Sequence, residues 1–327
     1  FTEKLTPGSA VNVQRRKNMS LSKPMDTKQD TTVPRASCEL VVKVQDFLQG
    51  TSKIIKSFSL LGKLGLIVIL FFVILAVFAP FLSVHPYNLP SGASLMPPGG
   101  GHIMGTDDLG IDIWAQLCRG AKISLIIGLG TAFLAGLGGG LIGIISGYLG
   151  GIVDKFIMRL IDIMLVIPDF PLMIMLAAFL GPRLINIILV LALFSWVSPA
   201  RIARSQILML KEKTYIKSAE LYGAGTWYLM WKHFLPEIFP LIAVQMIRLT
   251  GRAIISEAGL SFLGLGDPTS KSWGLTIHYA TSFKGIYFTD FWKWWLLYPW
   301  LFLTLMVVSL AFISRELEQF ADPRVKK

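Results

Sequence analysis

Charge is what this chain has least of: of 327 residues only 16% are Asp, Glu, Lys or Arg, while 53% are hydrophobic. That balance fits a single soluble domain poorly and a polytopic membrane protein well. Cysteine is scarcer still. Cys38 and Cys118 are the two in the sequence, which excludes a disulfide framework and any Cys-x-x-Cys motif. No Gly-x4-Gly-Lys-[Ser/Thr] occurs, since Gly62-Lys63 is followed by Leu64. The chain therefore has no phosphate cradle of its own. The absence of His-Glu-x-x-His, and of any span with a Ser/His or paired-Asp set, opposes an intramembrane enzyme. Two related halves, usual in an ion-driven secondary transporter, are also missing. No stretch reads as a secretory signal with a charged start and a short apolar core.

What is present is a series of long apolar runs. A hydrocarbon layer about 30 Å thick needs roughly 20 apolar residues in a helix. Six stretches approach that length: Leu64–Ser83, Ile123–Leu149, Lys155–Leu180, Leu184–Ala200, Glu237–Leu263 and Trp294–Ile313. Pro168 and Pro171 should kink the third. Trp294, Trp295 and Trp300 cluster where an interfacial aromatic belt is expected.

The net charge of +11 could suggest a nucleic-acid partner, but its distribution reads as membrane topology. An even number of spans puts both termini on one side. Of the 31 Lys and Arg, that side holds 23, eleven of them in residues 1–63 and six in 201–236. The other side holds six, and none falls in 84–118. The positive-inside rule then predicts cytoplasmic termini and a cytoplasmic 201–236 loop, in a cell or inner membrane. Residues 1–62 read as a tail followed by an interfacial helix near 41–58. Residues 63–83 form the first span, 84–120 an extracytoplasmic loop, and 121–327 a five-helix core.

Gly136, Gly140, Gly143 and Gly147 recur at steps of three or four, so they share a face on which another helix can approach closely. Gly138, Gly140 and Gly143 also satisfy Gly-x-Gly-x-x-Gly. Inside an apolar span that pattern is no dinucleotide site, because pyrophosphate would sit in hydrocarbon.

Arg248 and Arg252 stand inside the fifth span, roughly 17–22 Å deep at 1.5 Å per residue. Unpaired and dry, each would cost at least about 2.5 kcal/mol. Glu257 lies on a different face of the same helix, so it cannot pair with either. The two arginines face a water-filled path or a partner's acid, or else pair with a neighbouring helix. Arg159 and Asp162, at i and i+3, suggest a local ion pair. His102, Asp107, Asp108 and Asp112 are metal-ligating types, but the pattern around them favours Thr106 or Asp107 as the cap of a helix carrying Leu109, Ile113, Trp114 and Leu117.

The polar interruption Arg201–Pro236 is the most telling segment. Tyr215–Tyr222 can form a short helix, and Gly223-Ala-Gly225 can break it through positive φ. Thr226 is expected to cap a second short helix ending at Leu235, because Pro236 disfavours helix there. Two such helices make a rigid knob that an external motor can push.

Three motifs carry a resemblance. The first is His102-Ile-Met-Gly-Thr-Asp-Asp-Leu-Gly-Ile-Asp112 with Arg119-Gly-Ala-Lys-Ile-Ser-Leu125. The second is Tyr215-Ile-Lys-Ser-Ala-Glu-Leu-Tyr-Gly223 with Leu235-Pro236. The third is Glu257-Ala-Gly-Leu-Ser-Phe-Leu-Gly-Leu-Gly266 with Ser272-Trp-Gly274, and Asp322-Pro-Arg324 closes the chain. Together, over about residues 60–327, they resemble the permease subunits of binding-protein-dependent ABC importers of the dipeptide, oligopeptide and nickel type. Two positions depart from that pattern. Lys217 stands where the family has a glutamate, with Ser218 in place of an alanine, and Ile111 replaces an arginine.

The resemblance implies an all-α, six-span type I importer permease that catalyses no covalent chemistry. Its partners would be a second homologous permease, two cytosolic ATPases that bind ATP and Mg, and an extracytoplasmic solute-binding protein. The chain itself would bind no cofactor or metal. Tyr215, Lys217, Ser218, Ala219, Gly223, Leu235 and Pro236 would form the ATPase-coupling element, and Arg248 and Arg252 are candidates for the solute path. The implied solute is a di- or oligopeptide, with an oligosaccharide or nickel as the alternatives.

Overall fold

A computed structural model describes residues 58–321, all helix, turn and loop with no named strand among them. The expected interfacial helix lies almost wholly before the described residues. The first helix, α1 (Leu60–Leu82), begins at Ser59, whose hydroxyl accepts the Gly62 amide. Glu316, far along the chain, accepts both the Ser59 amide and its hydroxyl, so a carboxylate sits at the positive end of α1.

Residues 83–112 form an ordered loop that ends in a cap. Asp112, rather than Thr106 or Asp107, caps α2 (Ile113–Leu149): one carboxylate oxygen accepts the Ala115 amide and the other meets His102 Nδ1 at 2.7 Å. Asp107 is otherwise engaged, accepting the Leu109 and Ile111 amides and the Gln116 side chain. Thr106 ties back to Ala93 and Met96. The cap falls later than expected because the polar residues before it are consumed in folding the loop on itself. Ile111 is buried there.

Gly150 and Gly151, both at positive φ, reverse the chain in a single step from α2 into α3 (Gly151–Val166). A 91° bend at Ile167-Pro168 separates α3 from α4 (Asp169–Leu180), so the third span is broken rather than kinked. Pro168 lacks the N–H that a continuing helix would need, and it leaves the residue before it extended. A milder bend of 40° at Trp196 joins α5 (Leu184–Ser195) to α6 (Val197–Leu210), which continues well past the expected end at Ala200. The short helix α7 (Thr214–Leu221) follows.

Next come α8 (Thr226–Leu229), a π-helical turn (Met230–Phe234) and α9 (Leu235–Phe262), one uninterrupted helical run through Pro236. The expected stop at Leu235 does not occur. The π-turn shifts the pairing so that the Leu235 amide reaches back to Met230, and the widened backbone absorbs the proline. Nor does Thr226 cap: Gly225 holds that position, with no side-chain cap bond. The chain closes with α10 (Trp273–Ser282), α11 (Trp292–Trp295) and α12 (Leu297–Ala321). Among the described residues four helices are long and apolar enough to cross a membrane, and the two bent pairs raise the number of spans there to as many as six.

Among the described residues the long helix α2 makes the most extensive packing, chiefly against α6 and α9. Its glycines make that possible. A Cβ on Gly136 or Gly140 would meet Met246 or Ile242 of α9. On Gly143 it would strike the backbone carbonyl of Ala200 in α6, and on Gly147 it would crowd Ile207. The stripe is therefore shared along its length between two partner helices. Gly139, which the spacing argument left out, faces the Trp196 carbonyl at the bend.

Candidate functional site: a protruding helix and a charged cleft

Two features stand out from the packed core. The first is the α7 element. It ends in a Schellman arrangement, with the Gly223 amide bonded to the Glu220 carbonyl at 2.9 Å and the Ala224 amide to the Ala219 carbonyl at 3.0 Å. Gly223 adopts φ +85°, a conformation that costs a residue with a Cβ about 1–2 kcal/mol. Ser218 supplies a carbonyl to the Tyr222 amide.

The inner side of this element is apolar and fully buried. Ile216, Leu229 and Phe234 have no exposure and pack with Ile144 of α2, Ala203 and Ile207 of α6, and Ile238 of α9. Leu235 packs against the same cluster. Each such side chain contributes about 1.5–3 kcal/mol of burial. The foot of the element is thus continuous with the helices that α2 gathers.

The outer side is polar and aromatic. Tyr222 is 92% exposed, and Leu221, Trp227 and Trp231 are exposed beside it. Glu237, at the start of α9, receives Lys213 Nζ at 2.6 Å and the Tyr215 hydroxyl at 2.5 Å. Partial burial, then the bond to Glu237, pushes the Tyr215 phenol up to about 12, so it stays a neutral donor. Lys217 Nζ lies 2.6 Å from Glu212, and both are exposed. Of the coupling residues named from sequence, Tyr215, Lys217, Ser218, Ala219 and Gly223 fall on α7 and its C-terminal turn. Leu235 and Pro236 lie instead in the long helix that supports it.

The second feature is a cleft of about 730 Å³ at the two helix bends, lined among others by Asp169, Ser195, Ser198, Arg201, Ser205 and Arg252. Arg252 pairs with Asp169 at the start of α4, and Arg248 pairs with Glu318 of α12. Both arginines thus have carboxylate partners on neighbouring helices, and both remain more than half exposed. The break before α4 brings Asp169 to Arg252, and nothing in the linear pattern indicated that meeting. Arg159 and Asp162 do not pair. In that region Asp154 accepts Arg204 through both oxygens, at 2.5 and 2.7 Å, tying α3 to α6.

Glu257 faces away from both arginines, as its angular position required. It is fully buried, and one of its oxygens accepts the hydroxyls of Ser261 and Ser272, each at 2.6 Å. Ser272 also caps α10, so the third motif links α9 to α10. In the loop before α2, His85, His102 and Asp112 hold their ligand-type atoms within 4.8 Å of one another, whereas Asp107 and Asp108 are not part of that group.

The described residues thus form a helical membrane chain with a short helix on a buried apolar foot and a charged cleft between bent helices. Residues 139–327 match the family described as "Binding-protein-dependent transport system inner membrane component". The chain is 35% identical over 269 residues to the oligopeptide transport system permease protein OppC of Bacillus subtilis, an alignment covering 82% of this chain and 87% of that protein. It is 34% identical over 272 residues to the dipeptide transport system permease protein DppC of the same organism, covering 82% and 83%. It is also 34% identical over 260 residues to the probable D,D-dipeptide transport system permease protein DdpC of Escherichia coli, covering 79% and 86%. The chain belongs to the family of binding-protein-dependent ABC transport permeases. It is a multi-pass membrane subunit rather than an enzyme, in a system whose ATP hydrolysis belongs to separate ATPase partners.

Proposed function

We propose that this chain forms one half of the translocation path of a peptide importer, the other half being a second, homologous permease. Peptide is favoured as solute because the relatives named for oligopeptides, dipeptides and D,D-dipeptides align over about four fifths of the chain. Two cytosolic ATPases would bind the ATP and Mg, and an extracytoplasmic protein would deliver the peptide. This orientation, with both termini cytoplasmic, follows from the bias of basic residues.

The observation that carries the mechanism is the α7 element. A short helix with an exposed aromatic end and a dry, fully packed foot moves as one piece with α6 and α9. A push on its tip during the ATP cycle therefore tilts the helices that border the cleft. Were the foot polar or loose, the same push would be absorbed locally. A Gly223→Val variant tests this reading. It puts a β-branched residue at φ +85° without touching the spans. Peptide uptake by the assembled importer in proteoliposomes should fall by about tenfold, with membrane insertion unchanged. Wild-type uptake in that variant would refute the transmission role.

A further inference from the structure

The charged cleft holds an ion pair whose two members match the two ends of a peptide. Arg252 and Asp169 come from different helices, α9 and α4, and meet at the wall of a cleft whose volume of about 730 Å³ suits a small solute. Their side chains are 58% and 37% exposed. Both groups are therefore open on the cleft side, where an entering solute can reach each of them. The buried struts of the fold are built otherwise. Glu316 at the α1 terminus is shielded, and Asp154–Arg204 is bidentate and only about a quarter exposed or less. The remaining polar groups of the cleft, Arg201 and the hydroxyl-bearing Ser195, Ser198 and Ser205, offer further donors along its length. Arg248, paired with Glu318, lies outside this cleft, at a smaller one of about 370 Å³ that Arg252 also borders.

Building on the peptide reading above, we propose that Arg252 and Asp169 form a transient station for a zwitterionic solute. The solute carboxylate takes the guanidinium, which can accept it in a forked pair, while Asp169 takes the solute ammonium. Each protein group gives up the other and gains an equivalent partner, so the solute enters without stranding a charge. The same exchange lets it leave, because the pair re-forms behind it. A singly charged solute would strand one of the two groups and a neutral one would leave the pair closed, so both would be disfavoured at this point.

The test is a cycle between protein and solute groups. Trialanine, its C-terminal amide and its N-acetyl form are titrated against the assembled membrane complex without the binding protein, read by saturation-transfer NMR. The proteins are wild type, Arg252→Gln and Asp169→Asn. In wild type, amidation and acetylation should each weaken binding by about tenfold. In Arg252→Gln, amidation should cost nothing further, and in Asp169→Asn, acetylation should cost nothing further. Such non-additivity identifies direct partners. Fully additive losses, or no binding of trialanine to wild type, would overturn the station. Uptake of trialanine by the complete importer separates the two levels of the argument. If uptake proceeds while the cycle is additive, the peptide reading stands and the station falls. If no peptide is carried at all, both fall.

Discussion

The α7 element and the Arg252 cleft are joined by the same helices yet are built from opposite materials. The foot of α7 is held by Ile216, Leu229 and Phe234, all without exposure. The cleft is bordered instead by a single exposed ion pair, Arg252–Asp169. Close apolar packing has few alternative arrangements and so transmits displacement. An ion pair open to a cleft can instead exchange partners with a charged group that enters it. On the proposed mechanism one region moves as a unit and the other changes partners, a permease stiff where it is driven and yielding where it holds cargo.

The contrast breaks most visibly at Phe234. Phe234→Ala empties a ring from the centre of the foot and should destabilise the element by about 3–5 kcal/mol. The expected result is an importer that assembles and hydrolyses ATP while peptide uptake falls to background. Retained uptake per ATP hydrolysed would mean that the foot does not carry the force.

A smaller loss is expected one layer inward. Gly143→Ala places a methyl group where the Ala200 carbonyl of α6 already sits, and α2 and α6 must separate. Overpacking of this kind costs about 1–3 kcal/mol. The melting temperature of the purified complex should drop accordingly. Gly138→Ala is the matched control, since that position has open space around it and should not lower the melting temperature. Equal drops in the two variants would remove the glycine-seam argument.

The same two regions differ in how far the sequence revealed them. The short helix and its glycine stop were legible, because Gly223 marks positive φ and the apolar residues recur with helical spacing. The continuation through Pro236 was not, because a proline signals a missing donor and cannot signal that a π-turn upstream will make room for it. The cleft was less legible still. Arg248 and Arg252 announced themselves as charges inside an apolar run, but their partners, Glu318 and Asp169, lie 70 and 83 residues away. Only the 91° break at Pro168 brings Asp169 into place, and proline fixes that a helix ends without fixing the direction in which the next one leaves. The glycine stripe shows an intermediate case. Its periodicity named a close-packed face, while the division of that face between α6 and α9 depends on where α5 bends at Trp196.

On the solvent side of α7 the expected effects shrink further. Glu237→Gln removes the charge that receives Lys213 and Tyr215, all three groups being roughly 40–50% exposed. Pairs this hydrated are worth under about 1 kcal/mol. The melting temperature should scarcely move, and uptake should stay within about twofold of wild type, a difference of under about 0.5 kcal/mol. A collapse of uptake would show that the foot is held by charge as well as by packing, and would weaken the contrast with the cleft.

The smallest intramolecular effect belongs to Lys217, the position where the motif resemblance led us to expect a glutamate. A lysine in place of a glutamate could reverse the charge offered to a partner, but Lys217 is already matched by Glu212 at 2.6 Å. The Lys217 ammonium beside Glu212 holds that carboxyl below its usual range, so the carboxylate persists at neutral pH and is lost only on acidification through the lowered value. The surface therefore presents a neutralised pair rather than a bare cation. Lys217→Met should leave fold stability unchanged, and it should expose the Glu212 carboxylate as an uncompensated negative charge. Binding of the ATPase subunit, measured across a salt series, reports the result. If the pair is neutral toward the partner, wild type shows a flat salt dependence and the variant a steeper one. A steep dependence in wild type that vanishes in Lys217→Met would mean the lysine reaches past Glu212 to an acid on the ATPase.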